Sequence, residues 1–136
     1  MSGQKPMPEP IQTTAVFWAG LRHHQVLLQY SPSSDAYVFY PRVLAPGTLA
    51  DDLEWREVSG QGTLYTFTLA RRAVAPAWDD EILHIPAVVQ FDQGPRISTE
   101  LVNVEPAAVR IGMRVKPFFF IDPNGRGATL LMFEPA

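Results

Sequence analysis

Thirteen prolines in a chain of 136 residues constrain the fold more than any other feature of the sequence. They recur at short intervals, for example at positions 76, 86, 95 and 106. Proline lacks a backbone N–H and fixes its φ angle, so it interrupts helices and marks the ends or edges of strands. The spacing therefore predicts a fold of short strands and excludes long helices.

The composition is typical of a globular protein with one domain. Hydrophobic residues make up 46% of the chain and charged residues 18%, which is enough apolar material for one core. The net charge of −3 does not imply a strongly basic surface for nucleic acid, and a local basic patch stays open. No apolar run approaches the roughly 18 residues that a membrane span needs, and the N-terminus lacks a signal-peptide core. We expect a soluble, cytoplasmic protein that makes no contact with a membrane.

Only the beginning of the chain has helical periodicity. Residues 1–10 are rich in proline and are expected to form a flexible arm. In residues 11–24, Ile11, Ala15 and Trp18 recur at helical spacing, which predicts an N-terminal helix. Residues 25–30 and 36–40 read as strands on either side of the turn SPSSD, so they predict a hairpin.

From residue 53 onward the pattern is that of short strands separated by turns. Threonine, aromatic and aliphatic residues alternate after the turn SGQG, and glycine, asparagine and proline mark the later turns. Residues 106–111 predict one helical turn, and residues 122–125 (DPNG) a hairpin turn. Five or six strands at this spacing predict a small closed barrel.

Several segments occur in an order that resembles a known family. They are FWAG, LLQYSPSS, YVFYPR, APGT, LEW, SGQGTLYTFTLARR, IPAVVQFDQGPRISTELV and IGMRV. Over residues 14–122 this series resembles the DUF35 family, in which a rubredoxin-like zinc ribbon precedes an OB-fold. The resemblance implies a mainly β fold with a ribbon at 25–52 and a five-stranded OB-fold barrel at 53–136. It also implies an association with thiolase-like and other acyl-CoA enzymes.

The chain departs from this family at the zinc site. The family has two Cys-x-x-Cys pairs, whereas this chain contains no cysteine at all. Structural zinc needs thiolate or imidazole ligands, so we predict that the ribbon is metal-free and that the protein has no resident cofactor. We expect apolar packing by Tyr37, Phe39, Tyr40 and Leu44 to replace the metal. The positions that match the family's cysteines are Ser31, Ser34, Ala45 and Thr48.

Two groups of residues are candidates for binding. Arginine forms planar, bidentate contacts with phosphates, and an exposed tryptophan stacks on adenine or anchors a partner protein. The candidates for contact with a coenzyme A thioester are Arg42, Arg71, Arg72 and Trp78. The candidates for a partner interface, provided that they face solvent, are Phe17, Trp18, Leu21, Tyr37 and Phe39.

No catalytic constellation stands out in the sequence. His23 and His24 are adjacent, which is poor geometry for joint chelation, and are interpreted as a solvated helix end. His84 is interpreted as a surface residue on an edge strand, although acidic residues at 79–81 lie close enough in sequence to pair with it. The acidic residues at 51–52 and 79–81 are interpreted as solvated loop charge. We therefore assign no catalytic residue.

Three functions stay open at this point. The first, implied by the resemblance, is a non-catalytic accessory subunit of a thiolase-like or other acyl-CoA-processing enzyme that aids acyl-CoA binding or channelling. The second is a free-standing acyl-CoA-binding module. The third is an OB-fold protein that binds single-stranded nucleic acid, which the negative net charge disfavours. Homo-oligomerisation, the acyl group and the identity of the partner are left open.

Overall fold

The computed structural model describes residues 8–69, 84–121 and 127–136. Arg71, Arg72, Trp78 and the turn predicted at 122–125 lie outside these ranges, as does most of the N-terminal arm. The described part has one α-helix, α1 (Ala15–Arg22), and a 3₁₀ turn at Pro106–Ala108. Its strands are β1 (Val26–Ser31), β2 (Ala36–Val38), β3 (Glu54–Val58), β4 (Gly62–Phe67), β5 (Pro86–Phe91), β6 (Arg96–Glu100), β7 (Arg114–Phe120) and β8 (Leu130–Pro135).

The helix is shorter than the sequence predicts. It begins at Ala15 instead of residue 11, because Ile11 and Thr14 first form a turn in which the Thr14 hydroxyl accepts a hydrogen bond from the Ile11 amide at 3.0 Å. Past the other end, His24 adopts a φ of +57°, a left-handed conformation that is incompatible with helix. In the described part of the chain, no helix is long and apolar enough to span a membrane.

The first three strands form a small antiparallel sheet, which we call the ribbon sheet. Its order is β2-β1-β3, with Tyr30 opposite Tyr37 and Gln29 opposite Trp55. The predicted hairpin of β1 and β2 is therefore confirmed. The segment from residue 53 that was expected to form the barrel begins with β3, which pairs with β1 over five residues and so joins the ribbon sheet.

The other five strands form the barrel. The sheet order is β6-β5-β4-β7-β8, with antiparallel neighbours and an irregularity in β4 between Leu64 and Thr66. The sheet curls until its edges meet: Leu101, just after β6, forms a parallel bridge with Phe133 of β8, and the Thr99 hydroxyl donates to the Leu131 carbonyl at 2.9 Å. The predicted mainly β fold with an N-terminal helix and a five-stranded barrel is confirmed.

A three-residue connection, 59–61, joins the two sheets, and glycines allow it to be tight. Gly60 has a φ of +78°, which a residue with a side chain rarely adopts. At Gly62 an added Cβ would lie 2.4 Å from the Gln90 carbonyl oxygen, inside the β4–β5 ladder. The helix, the ribbon sheet and the barrel are thus pressed against one another, and their buried apolar side chains form a single cluster.

Candidate functional site

A groove of about 390 Å³ opens where the helix, the segment after β2 and the two edge strands of the barrel meet. This volume falls in the range of small-molecule sites, which are mostly apolar with a few polar groups. Aromatic rings from the helix and from residues 39–40 form one wall, and strands β6 and β8 form the other. Prominent lining residues are Phe17, Trp18, Phe39, Tyr40, Ile97 and Leu131.

The aromatic wall is built by contacts between rings. Phe17 packs edge-on against Trp18 at a centroid distance of 5.3 Å and against Phe39 at 5.4 Å. Phe39 in turn contacts Tyr40 at 4.4 Å and the core ring of Phe91 at 6.4 Å. Because Phe91 is buried in the barrel, this chain of rings fixes the groove wall to the core.

A carboxylate lies in this mostly apolar groove, which Thr14, Ser98 and Thr99 also line. Glu100, at the end of β6, lines the groove, and its Oε1 lies 3.0 Å from Nδ1 of His84. An ionised carboxylate only accepts hydrogen bonds, so the Nδ1–H donates. Interpreting His84 as a surface residue is therefore wrong: it is 8% exposed, and pairing of β5 with β6 at Pro86 and Glu100 brings it to this partner. Sequence reasoning sought a partner nearby in the chain and missed a cross-strand one.

Three of the four positions that match the family's cysteines, Ser31, Ser34 and Thr48, are brought close together without thiolates. The Ser34 and Thr48 hydroxyls lie 2.8 Å apart, and the Ser34 amide donates to the Ser31 hydroxyl at 3.2 Å. Ser31 in turn donates to Asp52 at 2.7 Å, and Asp52 also accepts from the Ser33 amide at 2.8 Å. We call Ser31, Ser33, Ser34, Thr48 and Asp52 the hydroxyl cluster.

Hydrogen bonds, and not the expected apolar packing, occupy the centre of the ribbon. The exposed fractions of Tyr40 and Leu44 are 57% and 41%, so neither replaces the metal, while Tyr37 and Phe39 pack at the margin of the core. The hydrogen bonds from Ser31 and Ser33 hold the pKa of the Asp52 carboxyl below its ordinary value. Interpreting Asp52 as solvated loop charge is therefore also wrong. The described residues contain no group of three or more side chains suited to hold a metal ion.

An exposed loop, which we call the apolar loop (residues 40–49), runs beside the groove. Its large apolar side chains point into solvent, with exposed fractions of 76% at Val43 and 71% at Leu49. The buried carboxamide of Gln29 holds the loop, because it donates to the Arg42 carbonyl at 2.8 Å and accepts from the Arg42 amide at 2.7 Å. At the other end, the Leu49 amide donates to the Ala45 carbonyl at 2.9 Å. Prolines and a glycine predict an irregular segment here, but the exposure of Val43 and Leu49 was not foreseen.

The predicted partner interface is only partly accessible. Phe17 is 4% exposed and Leu21 is fully buried, so the condition that they face solvent is not met, because the helix packs this face on the core. Trp18 and Phe39 are half-buried in the groove. Tyr37 is half-buried on the ribbon sheet, 4.8 Å from the ring of Tyr30.

Two arginines in the described part of the barrel bear on the binding of single-stranded nucleic acid. Tyr65 is 48% exposed, but the guanidinium of Arg96 lies 3.8 Å from its ring centroid and covers one face. Arg114 forms a bidentate ion pair with Asp92. The pair lowers the pKa of that carboxyl and compensates the positive charge of the guanidinium. These arginines are thus already partnered by groups of the chain itself.

Comparison with known proteins agrees with this architecture. A family model described as the C-terminal OB-fold domain of ChsH2 matches residues 55–120. A solved structure described as the Ltp2-ChsH2(DUF35) aldolase superposes with a TM-score of 0.80 at 25% identity, over 94% of this chain and 98% of that one. The resemblance to the DUF35 family is confirmed. A DUF35 domain-containing scaffold protein of Methanocaldococcus jannaschii is 26% identical over 105 residues, covering 75% of this chain and 73% of that protein.

Two longer relatives of this DUF35-like chain are named as enzyme subunits. The 3-oxo-4,17-pregnadiene-20-carboxyl-CoA hydratase alpha subunit of Mycobacterium tuberculosis is 28% identical over 131 residues, or 94% of this chain. The probable enoyl-CoA hydratase alpha subunit of Thermomonospora curvata is 26% identical over 133 residues, or 97% of this chain. The chain spans 39% and 40% of the length of these two relatives, respectively.

Proposed function

We propose that the chain is a non-catalytic accessory subunit of an acyl-CoA-processing enzyme, that it acts in the cytoplasm, and that it helps to bind or channel the acyl-CoA. The names of its relatives support the class of partner, since they include alpha subunits of CoA hydratases, an aldolase assembly and a scaffold protein. The partner in this proposal is a thiolase-like, hydratase or aldolase subunit.

The apolar loop is the observation on which this proposal rests. Val43 and Leu49 are among the most exposed large apolar residues in the described part of the chain, and Tyr40 and Leu44 add to the same surface. Exposed apolar residues that are held together in one place are typical of protein interaction sites. Gln29 and the contact of Ser34 with Thr48 hold the loop before any partner arrives, so little conformational entropy is lost on docking.

The groove supports the second part of the proposed role, which is binding of the acyl-CoA. It opens beside Tyr40 and Pro41, at the root of the apolar loop, so a partner docked on the loop would lie next to it. The Arg42 side chain follows directly and is exposed, as contact with the phosphates of a coenzyme A thioester would require. We propose that the acyl chain enters the groove while Arg42 contacts the nucleotide end. Arg71, Arg72 and Trp78, which lie outside the described residues, are the further candidates for contact with the coenzyme A thioester.

Affinity purification of the tagged chain from its native host tests the docking role. We expect stoichiometric recovery of one acyl-CoA enzyme, identified by mass spectrometry, with the wild-type chain. The double variant Val43→Asp, Leu49→Asp should lose that enzyme, because two carboxylates would have to be buried in the interface. The control is Ile111→Asp, which places a charge at an apolar residue of similar exposure, 67%, on the barrel.

Retention of the partner by the double variant would contradict docking through the apolar loop. Recovery of the wild-type chain alone would overturn the accessory role itself. In that case the groove favours the second candidate, a free-standing acyl-CoA-binding module, which predicts saturable acyl-CoA binding at micromolar affinity by the chain alone. Nucleic-acid binding would instead be recognised by a steep loss of oligonucleotide affinity with added salt.

A further inference from the structure

Glu100 is the acidic residue of the groove, and its position suggests what kind of chain the groove accepts. We propose that the groove binds a hydroxylated acyl chain, with Oε2 of Glu100 accepting the hydrogen bond of the hydroxyl group and His84 acting as a positioning residue. This inference rests on the proposed role in acyl-CoA binding and names the substrate class of the same site.

The geometry leaves one oxygen of Glu100 available for a ligand. Oε1 is occupied by the Nδ1–H of His84 at 3.0 Å, and the described residues provide Glu100 with no second side-chain or backbone donor. The Glu100 side chain is 22% exposed, so part of it is withdrawn from water. A partly desolvated carboxylate gains from a second donor, and Glu100 is one of the residues that line the groove.

A neutral hydroxyl fits this environment better than a charged donor does. The remaining walls are mostly rings and aliphatic side chains, of which Phe17, Ile97 and Leu131 are buried, and their polar members carry neutral hydroxyl groups. An ammonium or guanidinium group would have to leave its hydration shell in this apolar groove, which costs much more than moving a hydroxyl. An aliphatic chain with one hydroxyl satisfies both the apolar walls and the carboxylate.

The carboxylate is also held firmly enough to discriminate between ligands. Glu100 ends β6 opposite Pro86 in β5, and the neighbouring Thr99 hydroxyl ties β6 to β8 at 2.9 Å. His84 is 8% exposed and holds the carboxyl group from the core side. A polar group positioned by regular strands and a buried partner rejects ligands that leave it without its hydrogen bond.

Calorimetric titration with two matched ligands tests the inference. The probes are 3-hydroxyhexanoyl-CoA and hexanoyl-CoA, which differ by one hydroxyl group. We expect the wild-type chain to bind the hydroxylated ligand at least about tenfold more tightly, as a hydrogen bond to a charged acceptor allows. In Glu100→Leu this preference should vanish while the affinity for hexanoyl-CoA stays the same or rises.

Three further variants separate positioning from general damage. His84→Leu should reduce the preference for the hydroxylated ligand by several-fold without abolishing hexanoyl-CoA binding. If His84 has only a structural role, the variant should instead weaken the binding of both ligands equally. Glu105→Leu removes an exposed carboxylate outside the groove and should change neither affinity. Should Glu100→Leu fail to fold, the isosteric Glu100→Gln takes its place and should lower the preference, because its acceptor is neutral.

Each result has a defined meaning. Equal binding of both ligands by the wild-type chain overturns the hydroxyl preference but leaves an acyl-CoA site in place. Binding of neither ligand overturns the inference together with the acyl role of the groove. The accessory-subunit role is judged separately by the affinity purification, so the two proposals can fail independently.

Discussion

The barrel core and the loops of the ribbon sheet are stabilised by different chemistry. In the barrel the largest fully buried side chains are all apolar, namely Leu64, Val89, Phe91, Val115 and Phe133. In the ribbon the loops between the strands are joined by hydroxyl, carboxylate and carboxamide groups: Ser31, Ser34, Thr48, Asp52 and Gln29. Both regions nevertheless form antiparallel sheets of ordinary geometry.

The difference shows what each region tolerates. Apolar burial is not directional, so a core position accepts other apolar residues of similar volume. A hydrogen-bonded cluster is directional, and removal of one partner leaves the other unsatisfied. We therefore expect the barrel to respond to changes in volume, and the ribbon to respond to changes in donors, acceptors and pH.

The largest effect should come from the barrel core. Phe91→Ala removes a ring that packs against Phe39 and Phe133, and we expect it to lower the free energy of unfolding by about 3–5 kcal/mol. Denaturant unfolding measures this. Ile111→Ala, at an exposed position, should change the free energy of unfolding by less than about 0.5 kcal/mol. Similar losses for the two variants would contradict the view that apolar burial stabilises the barrel.

A smaller loss should follow from removing the carboxamide that holds the apolar loop. Gln29→Ala leaves the amide and the carbonyl of Arg42 without their partner, so we expect a loss of about 2 kcal/mol in the free energy of unfolding. Gln25→Ala, at an exposed glutamine of the preceding turn, is the matched control and should be nearly neutral. If Gln29→Ala is as stable as wild type, the loop is not held by this side chain.

The pH dependence that Asp52 gives the ribbon should be modest and confined to acid. Hydrogen bonds lower the pKa of Asp52 in the folded state, so its stabilising contribution is complete above the unfolded-state pKa and is lost as the pH falls through the folded-state pKa. In an NMR titration below about pH 4, the Ser33 amide should shift with a midpoint below the ordinary aspartate value. The same shift in Asp52→Asn would show that another group titrates there.

The smallest expected effect is that of a chelator. If the hydroxyl cluster replaces the metal, the purified chain contains no stoichiometric zinc, and EDTA leaves its unfolding midpoint unchanged. Metal analysis and thermal unfolding measure the two quantities. One zinc per chain, or a lower midpoint in EDTA, would remove the contrast between an apolar barrel and a hydrogen-bonded ribbon.

Local patterns were enough to predict much of the fold. Alternation and turn residues indicated the β1–β2 hairpin and the strands of the barrel, and the run around Pro106 indicated a short helical turn. The start of the helix was misplaced because the side chain of Thr14 closes a turn that periodicity does not reveal. The pairing of β3 with β1 was not predicted, because a strand's own residues do not say which sheet it joins.

The candidate site was less predictable because its contacts link distant parts of the chain. The His84–Glu100 pair spans 16 positions and the Ser31–Asp52 contact spans 21, so neither appears in a local motif. Phe17 and Leu21 were assigned to a partner interface because an apolar helix stripe has the same pattern whether it faces a core or a partner. The Ser34–Thr48 contact was the exception, because the family spacing marked both positions in advance.

The shared core limits where the gene for such a protein can be divided, by recombination or by design. Phe17 and Leu21 from the helix, and Val26 and Leu28 from the ribbon, belong to the same apolar cluster as the side chains of the barrel. A recombination breakpoint in the connection at 59–61 would give each product an apolar face that it cannot cover. Gene fusion, shuffling or grafting should therefore succeed only with the helix, ribbon and barrel as one cassette.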